Sequence, residues 1–69
     1  MNEIYLVIEK NFDYDNIEFF TDVHEAWDNY EEIKSEFDPG LGTGGVICKV
    51  TGKGSLYISQ EFTSNENVE

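Results

Sequence analysis

Between Thr21 and Asp38 the apolar residues Val23, Ala26, Trp27, Tyr30, Ile33 and Phe37 recur at spacings of three and four. That period lays them along one stripe of an amphipathic α-helix of roughly four turns, and a strand cannot accommodate it. Thr21 is the expected N-cap, with Asp22 setting negative charge at the positive end of the helix dipole. Asp38, Pro39 and Gly40 end the helix. A helix with one apolar stripe must cover another element, and the flanking segments supply that element as strands.

Upstream, Ile4, Leu6 and Ile8 alternate with Tyr5, Val7 and Glu9, giving one clearly apolar face and one mixed face. Lys10 to Asn16 has the Asn and Asp content of a turn, and Ile17 to Phe20 reads as a second strand pairing back as a hairpin. Downstream, GLGTGG from Gly40 to Gly45 reads as a hinge-like connection. Val46, Cys48 and Val50 then alternate with Ile47 and Lys49. Thr51 to Gly54 is a glycine-bearing hairpin turn, and Leu56, Ile58 and Phe62 alternate with Tyr57 and Ser59. The predicted fold is α+β in the order ββαββ: a four-stranded, mostly antiparallel sheet with one helix packed on one face. The expected domain is 1–62, followed by a flexible acidic tail at 63–69.

A helix covers only one face of such a sheet. With the more aliphatic face turned toward it, the other face would carry Tyr5, Val7, Phe20, Ile47 and Tyr57. That set is too apolar for an exposed surface, so loops or a second copy should cover it, and a homodimer is the expectation. Size points the same way. The chain has 69 residues and a single cysteine. A domain this small buries only about 60% of its unfolded surface. Neither a disulfide nor a zinc site is available to staple it, since no Cys and His fall at ligand spacing.

Charge is distributed unevenly. Eleven acids lie from Glu9 to Asp38 against Lys10 and Lys34, a net −9 of the chain's −11. Pro39 to Gln60 has two lysines and no acid. Such a balance repels nucleic acid and anionic lipid, and no apolar run approaches the roughly 20 residues of a membrane helix. The amino terminus has no signal-peptide pattern, and a cytoplasmic location is expected. The acids are ordered by the helical period. Glu25, Asp28, Glu32 and Glu36 step by three, four and four residues, a row rising about 4.5 to 6 Å per step. Glu31, Asp22, Glu18, Asp13 and Asp15 extend it. Only Glu31 and Lys34 form an oppositely charged local pair, so the helix carries like-charge repulsion that pairing does not relieve. A solvated acidic face is the ordinary outcome of a charge run; here the acids continue beyond the helix, which favours a partner.

The chemical motifs are weaker. Asn11, Asp13, Asp15 and Asp22 fall at the first, third, fifth and twelfth places of a calcium loop. Asn16 stands where glycine is needed, and Asp22 where a bidentate Glu belongs. GLGTGG follows a helix instead of a strand, which is the wrong context for nucleotide binding. His24 has no nucleophile placed beside it by any motif, so catalysis is not expected. Cys48 reads as a small buried strand residue, and Trp27 and Tyr30 as core. No cofactor or metal is implied.

Carboxylates on a rigid scaffold at several-ångström intervals can stand in for DNA phosphates, which place one charge per ~3.4 Å of helix axis on each strand. In size, charge and aromatic content the whole chain resembles the small acidic proteins that bacteriophages make early in infection. Some of those are DNA mimics that occupy HU-type nucleoid proteins, restriction enzymes or CRISPR nucleases. The resemblance implies an inhibitor in a bacterial host cell that competes with nucleic acid for a basic groove. An HU-like target fits best, because such proteins read few bases. The alternative is a non-inhibitory adaptor or small structural subunit that uses its apolar sheet face, the acids serving solubility.

Overall fold

A computed structural model describes residues 3–63. It has the order β1 (Ile4–Asn11), β2 (Asp15–Phe20), α1 (Val23–Ser35), β3 (Gly42–Val50) and β4 (Leu56–Thr63). The strands form one antiparallel sheet in the order β2-β1-β3-β4. This is the predicted ββαββ arrangement. β2 and β3 both pair antiparallel with β1, so they run in the same direction and require a crossover; α1 supplies it, spanning one face of the sheet. Thr63, the first residue of the tail expected at 63–69, instead closes β4, and the rest of that tail lies outside the described residues.

The cap differs by one residue from expectation. Asp22, not Thr21, is the N-cap: its backbone is extended, and its Oδ1 accepts from the His24 N–H at 2.8 Å and the Glu25 N–H at 3.4 Å. Those are the second and third helical positions, whose N–H groups have no partner within the helix.

The larger difference is which face of the sheet α1 covers. Tyr5, Val7 and Ile47 are buried beneath the helix with Ala26, Tyr30 and Phe62, and Phe20, Trp27, Ile33 and Phe37 pack around them. Tyr57 sits on the same side in register with Lys49 and Tyr5, exposed beyond the helix. The proposed dimer face of Tyr5, Val7, Phe20, Ile47 and Tyr57 is therefore the helix side, not the open side. The reason is shape. The helix stripe is aromatic, and it meets aromatic partners edge-on: Tyr30 lies 5.6 Å from Trp27 and 5.8 Å from Phe62, and Phe37 lies 5.1 Å from Phe62 between ring centroids. Room for the Phe62 ring comes from Gly45, where an added Cβ would stand 2.6 Å from Phe62 Cε1.

Two further features bring this about. The register shifts between Ile47 and Cys48, which pair with Gln60 and Ile58, leaving Ser59 as an extra residue in β4. The bulge reverses which residues face the helix. Phe62 thereby enters the core, while Leu56 and Ile58, which it was expected to accompany, point to the other side. The GLGTGG segment is also no hinge: Gly42, Gly44 and Gly45 belong to β3, and Gly42 and Gly44 approach the backbones of Lys10 and Phe62 too closely for a Cβ.

The open face consequently carries three rows across the sheet. One row runs Phe19–Leu6–Cys48–Ile58, and a second runs Ile17–Ile8–Val46–Glu61. The third, reaching only three strands, is Ile4–Val50–Leu56. The next row out is polar: Asp15, Lys10, Gly44 and Thr63. Phe19 is 71% exposed, Ile58 60% and Leu56 59%. Cys48 in the centre is buried, as its alternation suggested, and that burial pushes its thiol pKa up.

Candidate binding surface

The groove between α1 and the β1–β2 edge gathers the chain's acids most closely. Its volume is about 530 Å³, and Glu9, Asn16, Glu18, Asn29, Glu32 and Glu36 line it with Val7, Ile17 and Ile33. Glu18 stands beside Val7 on the helix side of the sheet, and Glu9 follows two residues further along β1. Glu32 and Glu36 come from the flank of the helix that overhangs β2. Asn16 Nδ2 donates to Glu9 Oε1 at 3.4 Å, tying the two strands together at the groove floor. Asn29 Oδ1 is buried with no hydrogen-bond partner, an acceptor left unused beside the carboxylates.

Glu25, Asp28, Glu32 and Glu36 are all exposed. At about 100° per residue they spread from the crest opposite the core, where Asp28 stands, toward the groove-side flank, where Glu36 stands. Glu36 is the C-cap: its backbone N–H donates to Glu32 O at 3.1 Å, and the following Phe37 N–H donates to Lys34 O at 3.4 Å. Glu18 joins this row across the groove. The remaining candidates do not. Glu31 turns to the other flank, toward Lys34, though the two make no ion pair. Asp22 is committed to capping, and it forms no metal-holding group with Asp13 and Asp15. Among the described residues no group of three or more His, Cys, Asp or Glu side chains could hold a metal ion. Asp13 lies in the β1–β2 turn beside a shallow hollow formed with Glu9, Asn11, Tyr14 and Leu41. Asp15 sits opposite Lys10 on the open side of the sheet, away from the helix. Glu9 was absent from the predicted set. Its alternation with Tyr5 and Val7 would have placed it in the groove had that face been assigned to the helix.

No cationic side chain among the described residues lines the groove. Among the described residues the one ion pair is Lys49 Nζ to Glu3 Oε2 at 2.8 Å, on the opposite half of the sheet. There Glu3 also accepts from Tyr5 Oη at 3.0 Å. Lys49 first, then Tyr5, holds the Glu3 carboxyl below its ordinary range, and Glu3 raises the pKa of both partners. Lys10 faces the open side, and Lys53 lies in the β3–β4 turn. The −9 segment is therefore left to solvent or to a partner.

No described helix is long and apolar enough to cross a membrane. Comparison with protein-family models, with curated proteins and with solved structures finds no match.

Proposed function

We propose that the protein is an acidic binding protein whose α1–β2 groove receives Lys and Arg side chains of a basic partner, excluding nucleic acid from that partner. The observation that carries this reading is the groove itself. Four carboxylates, Glu9, Glu18, Glu32 and Glu36, line one cleft with no described ion pair and with an unused buried acceptor at Asn29. Carboxylates accept hydrogen bonds and Lys and Arg only donate them, so donor-rich cationic side chains complement this lining. Glu25 and Asp28 continue the charge along the helix, where they would follow the path of a phosphate backbone. The partner is then a DNA-binding protein that reads backbone charge more than bases, with an HU-like nucleoid protein of a bacterial host favoured and a restriction or CRISPR nuclease the alternative target. The protein acts by competition, without catalysis, in the host cytoplasm.

Displacement of a labelled duplex from a purified HU-like protein tests this. Wild type should compete, and the Glu18→Lys/Glu32→Lys/Glu36→Lys variant should lose at least tenfold in competition. Equal competition by both, or none by wild type against any of the three target classes, sinks the reading. A second reading is favoured by the exposed apolar rows: an adaptor or structural subunit that meets a different protein through the open sheet face. It predicts partner capture that is indifferent to those charge reversals.

A further inference from the structure

We propose that the open face of the sheet packs against the same face of a second copy, giving a four-layer dimer of helix, sheet, sheet and helix whose two acidic grooves face away from each other. The occupant must be apolar, because the three inner rows hold one charged residue, Glu61, and it lies on the edge strand β4. Lys10 and Asp15 lie just beyond those rows at one end and give the apolar patch a polar border there, as interfaces commonly have.

A second copy satisfies three requirements together. A twisted sheet face fits another of the same twist, stacked about 10 Å away with strands about 30° apart. A patch on one face can meet its own copy about a twofold axis without any further surface. The area also suffices. Three rows about 6.7 Å apart over strands about 4.8 Å apart make roughly 400 Å² in projection, and two corrugated faces bury on the order of 1,000–1,200 Å², the lower limit of a specific interface.

The net charge of −11 is the obvious objection, since like-charged copies repel. The topology answers it. The helix and groove lie on the side of the sheet away from the contact, so the helix axes of the two copies stand roughly 30 Å apart. That exceeds the Debye length of about 8 Å at physiological ionic strength, and the repulsion is largely screened. One consequence rests on the proposed function: opposed grooves cannot share one basic cleft, so each dimer would hold two partner molecules.

Light scattering coupled to gel filtration at tens of micromolar protein should give twice the chain mass of 7.9 kDa. Phe19→Glu/Ile58→Glu should give a monomer; both side chains are already exposed in the protomer, so far-ultraviolet circular dichroism should be unchanged. Glu32→Lys, on the other side of the sheet, should leave the doubled mass intact. A monomeric wild type overturns the proposal whatever the variant does, whether the face then proves to bind a different protein or a lipid vesicle. A folded Phe19→Glu/Ile58→Glu variant that stays dimeric also overturns it. Doubled mass without competition for a basic partner would leave the dimer standing and remove the proposed function instead.

Discussion

Thr21 and Asp22 are both capping residues by type, and composition alone does not choose between them. The choice rests on backbone geometry: Asp22 is extended, with φ −110° and ψ 121°, which aims its carboxylate at the free N–H groups of the first turn. Asp22→Ala should cost about 1 kcal/mol, and Thr21→Ala well under about 0.5 kcal/mol, both read from urea unfolding. Equal costs would return the cap to Thr21. A second residue-scale prediction concerns Gly45. Its Ala variant brings a Cβ against the Phe62 ring, so about 1–3 kcal/mol should be lost through overpacking. In a Phe62→Leu background the same change should cost less, because the ring edge it strikes is gone. An undiminished cost would mean that the backbone of Ile8, whose carbonyl oxygen is the next nearest atom, sets the limit instead.

At the scale of elements, Asp28, Glu32 and Glu36 follow one another at intervals of four along α1, so each pair repels. Glu32→Lys turns two repulsions into two attractions. The helix should gain about 1–2 kcal/mol, seen as a higher melting temperature at low salt, while affinity for a basic partner falls. A face kept only for solubility would gain the stability with no loss of binding. The same helix shows how legible the fold was. Its stripe fixed the element and its partner sheet from spacing alone, and the two hairpins followed from alternation and turn chemistry. The side of the sheet it covers did not follow, because alternation separates two faces without ranking them. Ile4, Leu6 and Ile8 form the more aliphatic set, yet Tyr5, Val7 and Ile47 fit an aromatic helix above a glycine floor. The Ser59 bulge is equally silent in a strand pattern, and it moves Phe62 from one face to the other. Glu9 was missed by the same error, and Asp15 was assigned to the row for want of knowing which way it points.

For the whole molecule, the three proposed behaviours have different physical origins, and salt separates them. Folding of a −11 chain works against its own repulsion, so sodium chloride should raise the melting temperature of wild type. Sheet stacking buries apolar area, so the dimer should hold or tighten as salt rises. Partner binding through Glu18, Glu32 and Glu36 is steered by charge, so its on-rate should fall roughly tenfold or more from low to high salt. Melting curves, sedimentation equilibrium and stopped-flow association over one salt series read all three. The decisive comparison is the third with the second. If association with the partner is insensitive to salt and is abolished by Phe19→Glu/Ile58→Glu, the open face is the partner site and the acids keep the protein dispersed. If association weakens with salt and survives in that monomeric variant, the groove binds independently of the dimer, and the two faces of one sheet serve separate contacts.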